Sequence, residues 1–260
     1  MNMNYKKFIG VYDSGVGGIS ILKKLKEYLP YEDFLYYGDS ANAPYGGKRK
    51  DDIILLADDS VKKLIAEGVK AVVVACNTAT SAAIDFLRDK YTSVPIVGVE
   101  PALKPAIMHE NHGRILVMAT QATLRLEKFH KLEEKYVSEE EMRNVIILPC
   151  PGLVDEIEKG DPHSPQVVEL LNEFLSPYKE KIRTVVLGCT HYPFLKDEIR
   201  AILGNIIFYD SGDGTAKELK RKLEEKSIQK KETTEGKIVF TSSKDTFGEI
   251  EMYKRFFEEF

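Results

Sequence analysis

The sequence predicts an α/β fold of two similar parallel-sheet lobes related by a pseudo-two-fold axis, with the active site in the cleft between them. Three observations carry this expectation. Short β-branched runs alternate with longer stretches of helical periodicity along nearly all of the 260 residues. The strand-like runs are continuously apolar rather than alternating, as in sheets covered on both faces. Four runs in the first half also have counterparts in the second. Their starts pair 7 with 114, 33 with 144, 71 with 184 and 95 with 206, steps of 107, 111, 113 and 111 residues.

Taken in order, the predicted strands are 7–12 (KFIGVY), 33–37 (DFLYY), 71–75 (AVVVA) and 95–99 (PIVGV). The second set is 114–118 (RILVM), 144–148 (NVIIL), 184–188 (TVVLG) and 206–209 (IIFY), and a last strand falls at 237–241 (KIVFT). Apolar positions recurring every three or four residues predict helices over 19–29, 51–67, 79–90, 124–136 and 166–175. The polar stretch 224–237 reads as a surface loop, and the closing IEMYKRFFEEF as an amphipathic helix. The spacing parallels an internal duplication and divides the chain into two lobes, residues 1–100 with 210–260 and residues 101–209.

Composition narrows the function. Lys and Arg number 37 against 41 Asp and Glu, a net charge of −4, without the basic surplus of a dedicated nucleic-acid binder. The longest purely apolar run, Ala71–Cys76, is far short of the roughly 20 residues of a membrane span. The amino-terminal residues lack the apolar core of a secretory signal. Three cysteines, an odd number in a chain large enough to build its own core, point to free thiols and a cytoplasmic location. No C-x-x-C zinc pattern occurs, and no metal site is expected.

In open parallel sheets ligands bind beyond the carboxyl ends of the strands. The polar segments there are DSGVGG (13–18), GDSANAPYGG (38–47), CNTAT (76–80), ATQAT (119–123), PCP (149–151) and CTHYP (189–193). Cys76 and Cys189 occupy matching places, VVVACNT and VVLGCTH, 113 residues apart. Each precedes hydroxyl residues and a helix start, a setting expected to lower a thiol pKa. With the lobes face to face, the two sulfurs would approach one cleft from opposite sides. That arrangement suits inversion of a carbon stereocentre, in which one group removes a proton and another returns one on the opposite face. Asp13 is placed to assist Cys76, and His191 to assist Cys189.

Blander readings exist for each feature. A buried cysteine after an apolar strand is ordinarily a small hydrophobe, and Cys150 is read that way; the matched pair is what favours chemistry. DSGVGG departs from the dinucleotide fingerprint because Gly18 comes one residue too soon, so the helix opening near Ile19 is expected to hold an anion instead. His109 and His112 read as a solvated loop, and Glu139–Glu141 as a solvated face. A Cys-His hydrolase drawn from Cys189 and His191 suffers from their two-residue separation, and a one-base enzyme would need only one of the two thiols.

The segments YDSGVGGISIL, GDSANAPYG, VVACNTAT, VPIVGVEPALKPA, MATQAT and LGCTHYPFL resemble, in that order, the glutamate racemases. The resemblance covers essentially the whole chain. It implies a cytoplasmic, cofactor-independent isomerase, active without pyridoxal phosphate or metal, that interconverts L- and D-glutamate for peptidoglycan synthesis. It makes Cys76 and Cys189 the acid–base pair, Asp13 and His191 their auxiliaries, and Glu158 in CPGLVDEIE a further catalytic carboxylate. Substrate contacts carried over are Asp13, Ser14, Tyr45, Gly46, Asn77, Thr78, Thr120, Thr123, Thr190 and His191. The matched motifs contain no arginine, so backbone N–H groups and hydroxyls at helix starts are expected to hold the substrate carboxylates. The implied partners are glutamate and a second copy of the chain, with no nucleic acid and no membrane. An aspartate-type or related amino-acid racemase of the same superfamily is the alternative.

Overall fold

A computed structural model describes residues 5–109, 113–136, 144–244 and 246–260. Strands β1 (Ile9–Asp13), β2 (Phe34–Gly38), β3 (Ala71–Val74), β4 (Ile96–Gly98) and β9 (Ile238–Ser242) form one sheet in the order β4-β3-β1-β2-β9. Strands β5 (Ile115–Ala119), β6 (Val145–Pro149), β7 (Thr184–Leu187) and β8 (Ile207–Asp210) form the second in the order β6-β5-β7-β8. Every pairing is parallel. Laying β1–β4 on β5–β8 superimposes the two strand orders, so the sheets repeat one topology, and β9 extends the first beyond β2.

Continuous apolar strands are required because both faces of the central strands are covered. All residues of β1, β2, β3, β5 and β7 are buried. In β1 and β3, Ile9, Val11, Ala71 and Val73 enter a core that also holds Leu116, Met118, Val185 and Leu187 of the second sheet. Tyr12, Val72 and Val74 point the other way, against the helices Lys50–Ala66 and Asn77–Lys90. Each fully buried aliphatic side chain contributes about 1.5–3 kcal/mol, so the shared core binds the two sheets together.

Two local expectations are corrected. The predicted helix over 124–136 is two, Gln121–Arg125 and Glu127–Tyr136, separated at Leu126, whose extended backbone (φ −83°, ψ 136°) turns its side chain into the core of the first sheet. The helix after β3 starts at Asn77, with Cys76 as its N-cap. The polar stretch 224–237 is, as expected, a surface loop beyond Glu225, where the helix Gly212–Glu225 ends, and it is pinned at two points. Buried Glu32 and Asp33 accept the amides of Lys230 and Lys237, and they pair with the ammonium groups of Lys70 and Lys230. Among the described residues, no helix is long and apolar enough to cross a membrane. His112 and Glu139–Glu141 lie outside the described residues, as does the side chain of His109.

Candidate active site

The carboxyl ends of the two sheets face each other, and polar side chains join them. Asp13 ends β1 and is fully buried; its Oδ1 accepts the Gly15 amide at 2.9 Å and its Oδ2 the Thr190 hydroxyl of the other lobe at 3.3 Å. Ser14, the next residue, lies 3.4 Å through Oγ from the Cys76 sulfur. Thr190 follows Cys189, so Asp13 and its neighbour connect the two thiol centres. Elsewhere along the seam, Thr78 Oγ1 is within hydrogen-bond distance of Thr120 and Thr123 (3.0 and 3.1 Å), and Thr120 donates to Thr123 at 3.0 Å. Ser20 donates to the Thr190 carbonyl at 2.7 Å, and the Ala122 amide donates to that of Gly46 at 3.1 Å.

Each thiol has a distinct electrostatic setting. The Cys76 sulfur accepts the Ala79 amide at 3.4 Å as the helix cap. Burial nevertheless pushes this thiol up to about 12, the Asp13 charge adds to the rise, and the Ser14 hydroxyl and Ala79 amide offset only part of it. The lowered pKa expected from the helix start is therefore corrected, because desolvation outweighs the cap. Cys189 lies 3.5 Å from His191 Nδ1, and His191 Nε2 faces Glu158 Oε1 at 2.6 Å, where a carboxylate can only accept. Burial alone would drive this imidazole toward neutrality, but hydrogen bonds to Cys189 and Glu158 hold its pKa well above the ordinary histidine value. Burial lifts Asp13 to about 6, and His191 and the Gly15 amide keep it from rising further.

Contrary to expectation, the helix opening near Ile19 does not present its first amides to an anion; the glycine-rich turn before it instead receives carboxylates of this chain. The Val16 amide donates to Glu158 Oε1 at 3.0 Å, and the Gly15 amide serves Asp13. The first amides of the helix Ile19–Tyr28 are taken by the Val16 and Gly17 carbonyls. Two glycines are needed for space: a Cβ on Gly15 would stand 1.9 Å from Glu158 Oε1, and one on Gly17 2.3 Å from His191 Nδ1. Gly15→Ala is therefore expected to expel Glu158 from His191, at a cost of about 1–3 kcal/mol in stability and a fall in kcat/KM of about tenfold or more. Urea unfolding and steady-state kinetics on the purified variant check both.

All the sequence-predicted site residues gather at this seam, with differences in what they offer. Asn77 is buried next to Cys76, and among the described residues neither of its amide atoms has a hydrogen-bond partner. The Tyr45 hydroxyl is engaged behind the site, donating to Asp39 Oδ2 at 2.6 Å and accepting from Tyr12 at 3.0 Å. Burial and the neighbouring Tyr12 and Asp39 raise its pKa, so it stays protonated. Cys150 is buried with its thiol near the Leu148 carbonyl, consistent with packing. Sequence reasoning missed Asp39, which anchors Tyr45 and Asn42 and whose amide donates to the Asp13 carbonyl. The available signal was a carboxylate immediately after the fully buried β2.

A family model described as Asp/Glu/Hydantoin racemase matches residues 21–219. A glutamate racemase of Clostridium acetobutylicum is 50% identical over 239 residues, spanning 91% of this chain and 92% of that protein. One of Clostridium perfringens is 47% identical over 252 residues, 96% of each. Among solved structures, a glutamate racemase of Francisella tularensis in complex with D-glutamate has a TM-score of 0.81 at 30% identity, covering 98% of this chain and 95% of that one.

Proposed function

Since the chain belongs to the glutamate racemases of the Asp/Glu/hydantoin racemase family, we propose that it interconverts L- and D-glutamate by proton transfer at Cα between Cys76 and Cys189. The observation that carries the reading is the linkage of both thiols through Ser14, Asp13 and Thr190 into one buried cluster. In this reading a thiolate on one face removes the α-proton and the electron pair stays on Cα. The thiol on the other face then delivers its proton there. Each turnover interchanges the protonation states of the two sulfurs.

The two sides resolve the proton problem differently. Asp13, lifted to about 6, is a better proton acceptor than an ordinary carboxylate and sits one residue from the hydroxyl that touches Cys76. His191, whose pKa is held high by its hydrogen bonds with Cys189 and Glu158, keeps a proton 3.5 Å from Cys189. Substrate carboxylates are assigned to Asn77, to the hydroxyls of Ser14, Thr78, Thr120, Thr123 and Thr190, and to the backbone at Tyr45 and Gly46. Such charge-assisted bonds contribute about 1.5–3 kcal/mol each. Held carboxylates also stabilise the charge that develops as the proton leaves.

The proposal extends to the lobe boundaries, residues 1–100 with 210–260 against 101–209, to a cytoplasmic homodimer, and to D-glutamate supply for peptidoglycan. Its test is circular-dichroism detection of racemisation, starting from each enantiomer in deuterium oxide without pyridoxal phosphate or added metal. The product enantiomer is expected to carry solvent deuterium at Cα. Racemisation without that exchange would contradict deprotonation.

A further inference from the structure

The C-terminal helix Phe247–Glu259 lies behind the loop 39–47 and is bonded to it through a buried hydroxyl. Tyr253 is fully buried, and its Oη lies 2.6 Å from Ser40 Oγ and donates to Ser242 Oγ at 3.3 Å. A Cβ on Gly38 would stand 2.1 Å from that hydroxyl, so the absence of a side chain there lets Tyr253 reach Ser40. The Tyr253 ring packs edge-on against Tyr36 (centroids 5.3 Å apart, planes at 79°), and Tyr36 donates to the Gly15 carbonyl at 2.6 Å. A second tie joins the loop to the residue after β9: the Ala41 amide donates to Ser243 Oγ at 2.8 Å, and the Ser243 amide to the Gly38 carbonyl at 2.9 Å.

We infer that Tyr253 is a positioning residue for substrate binding, its hydroxyl fixing Ser40 and through it the loop that presents Tyr45 and Gly46. The inference rests on the glutamate-racemase reading of the site. Ser40 directly follows Asp39, whose carboxylate holds Tyr45 and Asn42. The far end of the loop is tied to the second lobe where Gly46 accepts the Ala122 amide. A displacement at Ser40 is therefore passed along a short, doubly anchored segment to the substrate contacts, and small misplacements of such contacts are costly. The loop carries neither thiol, so its loss weakens ground and transition states alike and appears in KM.

Tyr253→Phe keeps the ring and removes only the hydroxyl. It is expected to raise KM for both L- and D-glutamate by about five- to tenfold, the worth of one hydrogen bond, with kcat within about twofold of wild type. Ser40→Ala, which leaves the helix untouched, should give the same KM shift. The double variant should show no further rise, because the two groups act through one contact. Unchanged KM in Tyr253→Phe would overturn the inference, as would additive effects in the double variant. A fall in thermal midpoint with KM preserved would likewise reduce Tyr253 to a packing role. A wild-type protein that does not racemise glutamate overturns the functional reading as well, whereas an active wild type with an indifferent Tyr253→Phe overturns this inference alone.

Discussion

Serine in place of either Cys76 or Cys189 is expected to lower racemisation in both directions by at least about 10²–10⁴-fold, the usual worth of a positioned acid or base. A hydroxyl is far too weak an acid to share the protonation states of a thiol, and each direction of the reaction uses both faces. The two variants should also differ from each other. With one thiol left, proton removal and return can occur only on that face, so each variant should exchange the α-proton of one enantiomer with solvent while leaving its configuration intact. Nuclear magnetic resonance of the Cα proton in deuterium oxide reads this directly. Complementary enantiomer preferences in the two variants are the signature of two-sided chemistry, and near-wild-type turnover in either would contradict it.

Asp13→Asn is expected to trade activity for stability. Burial raises the Asp13 carboxyl from 3.8 to about 6, so the native state binds this proton more tightly than the unfolded chain does. Between pH about 4 and about 6 the unfolded chain releases the proton first, and native stability falls as pH rises; above that window the penalty is complete. A rise of about two pH units corresponds to as much as about 3 kcal/mol at pH 7. Asparagine avoids that cost while losing part of the contact with the Gly15 amide and Thr190. The variant should therefore unfold at higher urea than wild type at pH 7, with the difference closing toward pH 4. Its racemisation should fall by about 10²-fold or more, and the acid limb near pH 6 in kcat/KM should disappear. A variant equally stable at both pH values, relative to wild type, would show that Asp13 is not held in the charged, desolvated state described here.

The strands were legible because parallel sheets buried on both faces leave continuous apolar runs, and all nine expected strands occur with shifts of one or two residues at their ends. The matched thiols were legible because the duplicated topology places residue 76 and residue 189 at equivalent strand ends. Leu126 was not, since an extended break inside a helical pattern depends on what it packs against in the other lobe. The Cys76 titration was misread because a cap argument sees the Ala79 amide and not the surrounding burial. The filling of the glycine turn by Glu158 was equally hidden, as that carboxylate arrives from 142 residues away. Asp39 and Tyr253 escaped notice for a related reason. Their importance lies in which hydroxyls they hold, and no periodicity reports that.

The trio of Thr78, Thr120 and Thr123 bridges the seam through hydroxyls, beside the apolar contact of Ala122 and Leu126 with the first sheet's core, while a separate aliphatic cluster is shared by the two sheets. Hydroxyl rotors trade partners with solvent at little net cost, whereas separating the aliphatic layer would expose oily surface to water. The seam is thus held partly by contacts that water can replace and partly by apolar contacts that it cannot.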